Sequence, residues 1–122
     1  MSELDGLTIA ELAERLRSKQ LSPVEVAAAS IDRAQATEPA LNSFITITGE
    51  QAMVAAHQAE AEIAAGNYRG PLHGIPFVTK DLFWTKGVRT TSGSRADEGF
   101  VPDEDATVEY MLKNLCIIGD KR

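Results

Sequence analysis

Asp105-Ala106-Thr107-Val108-Glu109-Tyr110-Met111-Leu112-Lys113-Asn114-Leu115-Cys116-Ile117-Ile118 is the stretch whose reading decides the fold class. Val108, Met111, Leu112 and Leu115 recur at helical spacing, with Asp105 placed as an N-cap. The unbroken apolar trio Cys116-Ile117-Ile118 then reads as the start of a buried strand, because a strand covered on both faces has no polar alternation. A helix feeding a buried strand predicts an α/β architecture with parallel pairing.

Working back from that stretch, the first half of the chain reads mainly as helices. Thr8 with Glu11 three residues on is a capping-box signature, and Ile9, Leu12 and Leu16 follow at helical spacing. Ser22-Pro23-Val24-Glu25 repeats the device: serine suits the N-cap, proline the first helical position and glutamate the third. Val24, Ala27, Ala28 and Ile31 line one face of this second helix, and Pro39 is expected to stop it before Glu38 or slightly earlier. Phe44-Ile45-Thr46-Ile47-Thr48 alternates and is β-branched, so it predicts a strand. The alanine-dense segment Gln51 to Ala65 predicts a helix ended by Gly66. Ile75-Pro76-Phe77-Val78, running on into Thr79-Lys80, is a second short strand, followed by a long glycine-rich loop. The fold read from these elements is N-terminal helices plus the first strands of a larger mixed sheet, within one domain unit spanning residues 1–122.

Bulk properties remove several function classes. The 122 residues are 43% hydrophobic and 25% charged, which is ordinary for a globular chain with one core. Eighteen acidic against 12 basic residues give a net charge of −6, and the bases are scattered, so direct nucleic-acid binding is not expected. No run approaches the ~20 apolar residues of a membrane span. Met1-Ser2-Glu3-Leu4-Asp5 has neither the basic start nor the apolar stretch of a secretory signal, so a cytoplasmic location is the expectation. Cys116 is the one cysteine, so no intrachain disulfide can form, and its apolar neighbours suit a small buried hydrophobe. His57 and His73 have no cysteine or carboxylate at ligand spacing, so no metal site is expected. Glu60 and Glu62 read as solvated helix charges rather than an acid–base pair.

Gly70-Pro71-Leu72-His73-Gly74-Ile75-Pro76-Phe77-Val78-Thr79-Lys80-Asp81 is the segment that points to chemistry. A rigid turn delivers a lysine to the end of a short apolar strand. Such a lysine either snorkels at the strand end or is desolvated enough to serve as a base near neutral pH. Lys80 and Asp81 are neighbours on a strand and point to opposite faces, so whichever faces the core needs a partner from elsewhere.

Gly70-Pro71-Leu72-x-Gly74-Ile75-Pro76-x-x-x-Lys80-Asp81, followed by Gly87-x-x-Thr90-Thr91-x-Gly93-Ser94, resembles the amidase-signature family. Leu7-Thr8, Ser22-Pro23-Val24-Glu25, Leu41-Asn42-Ser43-Phe44-Ile45 and Asp105-Ala106-Thr107-Val108 extend the resemblance from about Leu7 to Gly119. It implies amide-bond hydrolysis by a serine nucleophile, a bridging serine in a cis peptide and a lysine, with no metal or organic cofactor. Lys80 matches the lysine of that triad. Gly93 and Ser94 match a motif that lines the family's active site; taken without the resemblance they are a turn with glycine at an unusual backbone angle. Neither Ser92 nor Ser94 is assigned as nucleophile, because the family's two serines come later in the chain and only 42 residues follow Lys80 here. After Gly119 the sequence reads Asp120-Lys121-Arg122, a departure from the Lys-Thr-Asn usual in the family.

The resulting expectation is a truncated N-terminal piece of an amidase-signature domain. It carries the catalytic lysine only and is inactive as an isolated chain. The substrate of the completed protein would be a small amide. The alternative is a non-catalytic fragment or assembly module of an amidotransferase that is split or built from several subunits. The chain would then self-associate or pair with a complementing C-terminal chain.

Overall fold

The computed structural model describes residues 3–112 and 116–121, with the backbone alone at residues 109–111 and 116–121. Helix α1 spans Ile9–Arg17 and α2 spans Pro23–Leu41; strand β1 is Phe44–Ile47, α3 is Gly49–Ala64, β2 is Pro76–Lys80, α4 is Thr107–Leu112 and β3 is Cys116–Lys121. A single 3-10 turn, Arg95–Asp97, interrupts the loop between β2 and α4.

Both predicted capping boxes are present. The Thr8 side chain accepts the Glu11 backbone N–H at 3.2 Å, and the Glu11 carboxylate accepts the Thr8 backbone N–H at 2.8 Å. Ser22 and Glu25 repeat the exchange at the head of α2, with Pro23 in the first turn where its missing N–H costs nothing. The end of α2 differs from expectation. Pro39 lies inside the helix, which continues to Leu41. The proline withholds an N–H only from the carbonyl of the exposed Gln35, where water can replace it. Beyond it, Asn42 adopts a left-handed cap (φ 46°) and donates its N–H to the Glu38 carbonyl at 2.7 Å. The Glu38 carboxylate in turn accepts the N–H groups of Ser43 and Phe44, both at 3.0 Å, and so hands the chain from helix to β1.

Helix α3 starts two residues earlier than predicted, at Gly49, and ends one residue earlier, at Ala64, with Gly66 in the left-handed region as its stop (φ 87°). Helix α4 starts at Thr107, so Asp105 stands two residues ahead of it rather than at the cap; its Oδ1 accepts the Lys86 backbone N–H at 2.7 Å. The predicted helical position of Leu115, the facing of Met111 and the burial of Cys116, Ile117 and Ile118 lie outside the described residues and side chains.

The three strands form one sheet in the order β1-β3-β2. β3 runs parallel to β2, with Pro76 opposite Cys116 and Lys80 opposite Lys121, and antiparallel to β1, with Ile47 opposite Gly119. The sheet is therefore mixed. Helix α2 sits at the centre of the packing and buries two faces. Ala27, Ile31 and Ala34 meet Ala52 and Ala56 of α3, with Phe44 and Ile47 packed alongside. Val26 meets Leu16 of α1 and Ile75, with Phe77 and Leu112 against them. That double burial explains why the predicted Val24-Ala27-Ala28-Ile31 stripe describes only one of its faces. On α1, Leu16 is fully buried and Leu12 partly, but Ile9 is 57% exposed. No helix among the described residues is long and apolar enough to cross a membrane.

Candidate functional site

The path to the site begins at the turn before β2. Gly70 and Gly74 both take positive φ (129° and 80°), and the turn closes through His73 N–H to Gly70 O at 3.0 Å and Ile75 N–H to Leu72 O at 3.1 Å. A side chain at Gly74 would meet the Pro23 ring, Cγ at 3.0 Å and Cβ at 3.1 Å, so both the angle and the space demand glycine. The head of α2 and the approach to β2 thus touch through bare backbone.

His73 anchors the same turn from below. It is 2% exposed. Its Nδ1 accepts the Arg69 backbone N–H at 3.1 Å, which places the proton of the neutral ring on Nε2, and Nε2 donates to Glu62 at 2.9 Å. Glu62 also pairs with the Arg69 guanidinium at 2.6 Å. A side-chain hydrogen bond from Gln58 holds the Glu62 carboxyl below its ordinary range, against the opposing effect of burial and helped by Arg69 and His73. Glu62 is therefore a structural partner and not simply a solvated charge. Glu60 is exposed and accepts a hydrogen bond from Ser22 Oγ.

β2 then carries Lys80 to its C-terminal end. The Lys80 carbonyl accepts N–H groups from Leu82 at 2.7 Å and Phe83 at 3.1 Å, so the chain turns sharply just after the lysine. Alternation decides the fate of the adjacent pair: Lys80 is exposed and Asp81 is 4% exposed. The partner Asp81 needs comes from ten residues on. Its Oδ1 accepts the Thr91 N–H at 2.6 Å, and its Oδ2 accepts the Thr91 hydroxyl and, at 3.4 Å, the Gly93 N–H.

Lys80, Gly93 and Ser94 come together on the wall of one open cavity of about 660 Å³, together with Asp81, Ser92 and Arg89. Gly93 does take a left-handed angle (φ 70°), and so does Ser92 before it (φ 52°). Ser94 also caps the 3-10 turn, accepting the Ala96 N–H at 3.2 Å. Among the described residues, no serine hydrogen-bonds to Lys80, and no group of three or more His, Cys, Asp or Glu side chains could hold a metal. The arrangement offers an amine at a strand end opposite a backbone turn. That suits proton transfer at Lys80 Nζ once a hydroxyl is brought within reach. Arg89 and Arg95, which also line the cavity, carried no sequence signal of their own, whereas Thr91 belongs to the Thr90-Thr91-x-Gly93-Ser94 motif.

A family model described as Amidase matches residues 25–119. Among curated relatives, a subunit of the glutamyl-tRNA(Gln) amidotransferase from Geobacter sp. (strain M21) is 49% identical over 111 residues, 91% of this chain and 23% of that protein. A protein of the same description from Cutibacterium acnes is 42% identical over 118 residues, 97% of this chain and 24% of that protein. Among solved structures, the native peptide amidase of Stenotrophomonas maltophilia superposes with a TM-score of 0.91 at 29% identity, over 98% of this chain and 25% of that one. The chain thus spans about a quarter of the length of the proteins it matches. With a family match over most of its length and this fold, the chain belongs to the amidase family.

Proposed function

We propose that this chain supplies the lysine of a Ser-cisSer-Lys amide hydrolase, and that Lys80 is that residue. The observation that supports it is Lys80 at the end of β2, on one cavity wall with the Ser92-Gly93-Ser94 turn, in a chain of the amidase family. On this reading the neutral amine of Lys80 takes a proton from a bridging serine, which takes one from the nucleophilic serine as its oxygen bonds to the amide carbon. The C–N bond then breaks, and the leaving nitrogen departs with a proton returned along the same path. Water next adds to the acyl-serine ester, so that the C–O bond to serine breaks and the acid leaves with the serine reprotonated. By the family resemblance, both serines belong to a part of the domain beyond these 122 residues. The substrate is a small amide, the site needs no metal or organic cofactor, and the working location is the cytoplasm. The 122-residue unit is the N-terminal part of one amidase-signature domain and has no amidase activity by itself.

A second reading is favoured by a specific surface. Leu82, Phe83, Trp84 and Phe100 are each between 37% and 46% exposed and lie in the loop beside the cavity. Such a cluster suits a covering chain. The relatives are described as one subunit of an amidotransferase, which supports the same view. On it, the chain is a unit that works only when completed by another polypeptide or by self-association, and that takes glutamine as its amide.

Ammonia release tests the role of Lys80 that both readings share. The pure 122-residue chain should release none from glutamine or from simple aliphatic and aryl amides. A fusion of this chain to the remaining part of the Geobacter relative should release ammonia. In that fusion Lys80→Ala should lower the rate about 10²- to 10⁴-fold. Lys80→Arg should do no better, because a guanidinium stays protonated, and Lys86→Ala should change little. Rates near normal in either Lys80 variant would refute the role.

A further inference from the structure

We infer that Asp81 is a positioning residue that holds the Thr91-Ser92-Gly93 turn in the lining of the cavity it shares with Lys80. The inference rests on the reading of Lys80 above, but its test does not depend on catalysis.

The geometry assigns the carboxylate a task that few other side chains could perform. Asp81 is 4% exposed, and an ionised carboxylate offers acceptors only. Thr91 donates both its N–H (2.6 Å) and its hydroxyl to it, and Gly93 donates its N–H, which Thr91 Oγ1 also accepts at 3.2 Å. Three donors from one short turn therefore converge on one buried charge. The turn they form is one a free chain seldom adopts. Ser92 and Gly93 take left-handed angles in succession, and only the second is glycine. The Ser94 N–H closes the turn on the Thr91 carbonyl at 2.8 Å.

The spacing in sequence gives the anchor its purpose. Asp81 is the residue after Lys80, at the turn that ends β2; Lys80 is exposed, Asp81 is buried, and both line the cavity. Two adjacent residues thus line the cavity and hold the turn of Ser92, Gly93 and Ser94 that lines it with them. The aspartate side chain ties the turn to the end of β2. A glutamate would push the turn outward by one methylene, and an alanine would leave the Thr91 donors without their acceptor in a buried place.

Amide hydrogen exchange and ¹⁵N relaxation on the full 122-residue chain test this. In Asp81→Ala, exchange at Thr91 and Gly93 should accelerate by roughly 10- to 150-fold, the range for losing a hydrogen bond to a charged group. Order parameters should fall at Ser92, Gly93 and Ser94 only. The amides of Val26 and Lys80 should keep their native protection. Thr91→Ser retains both donors and should exchange like the parent protein. Thr91→Val retains the N–H but not the hydroxyl; it should loosen Gly93 more than residue 91, and it stands in as the probe if Asp81→Ala does not fold. The inference is overturned if the turn stays protected in Asp81→Ala, or if Val26 loses protection in step with Thr91. It is also overturned if Thr91→Ser loosens the turn as fully as Asp81→Ala, or if Thr91→Val leaves Gly93 untouched.

Discussion

Replacing Gly74 by alanine separates two costs that the turn before β2 combines. The residue sits at φ 80°, where a Cβ costs about 1–2 kcal/mol by itself. The same Cβ would lie 3.0 Å from Pro23 Cγ and 3.1 Å from Pro23 Cβ, against ordinary contacts of ~3.5–4.0 Å. A proline ring yields little, and Pro23 is fixed at the head of α2 by the Ser22–Glu25 capping box. Relieving the overlap must shift the helix or the turn, at a further cost of about 1–3 kcal/mol. The sum is about 2–5 kcal/mol, or roughly 8–20 °C in Tm for a chain of this length. Gly66 is the matched control: its φ is 87°, but a Cβ there meets nothing within 4 Å. Gly66→Ala should therefore cost only about 1–2 kcal/mol. Thermal and urea unfolding of both variants, with Pro23→Ala alone and combined with Gly74→Ala, complete a double-mutant cycle. The reasoning fails if Gly74→Ala loses no more than Gly66→Ala, or if Pro23→Ala, which removes the Cγ contact and keeps the Cβ one, restores none of the excess.

Three further perturbations follow from the packing and the charges. Leu16→Ala, at a fully buried side chain that joins α1 to α2 and Ile75, should cost about 2–5 kcal/mol in urea unfolding. The Glu11 carboxyl is held below its ordinary range by the Thr8 backbone N–H, then by the Thr8 hydroxyl. A carboxyl lowered in the folded state adds stability above its unfolded pKa and loses it as pH falls through its folded value; Thr8→Ala keeps the backbone donor and removes the hydroxyl, so it should flatten that acid limb only in part in unfolding curves taken as a function of pH. Glu62 is lowered as well, by Gln58 first, so Glu62→Gln should likewise reduce the loss of stability on acidification. Its distinguishing sign is altered His73 ring resonances, since Glu62 is the acceptor for Nε2.

What the sequence revealed was mostly local. Thr8 with Glu11 and Ser22-Pro23 with Glu25 mark helix starts because donor and acceptor lie within one turn of chain. The alternation of Phe44 to Ile47 and the apolar run into Lys80 marked both flanking strands for the same reason. Pro39 misled because a proline in the last exposed turn removes a bond that water can replace. The faces of α2 and α3 were only partly legible, since alanine fits either side of a helix and α2 packs on two. At the site, the motif singled out Lys80, Gly93 and Ser94, which the fold brings to one cavity. It did not say that Asp81 reaches Thr91, that His73 is buried against Glu62, or that Gly74 touches Pro23. Each of those is a meeting of segments distant in sequence, fixed by packing and not by any local pattern.

The strand order has a consequence for how the chain is made. β1 and β2 flank β3, so neither has its hydrogen-bonding neighbour until the last of the three is synthesised. Thirty-six residues separate Lys80 from Cys116. At about 5–20 residues per second, a ribosome takes roughly 2–7 s to bridge that interval. During it the helices can already pack on one another, while the backbone of Pro76–Lys80 waits as an unpaired ribbon. A nascent chain in that condition is a natural client for a holding chaperone, and slower translation between these two points would lengthen the time for which it needs one.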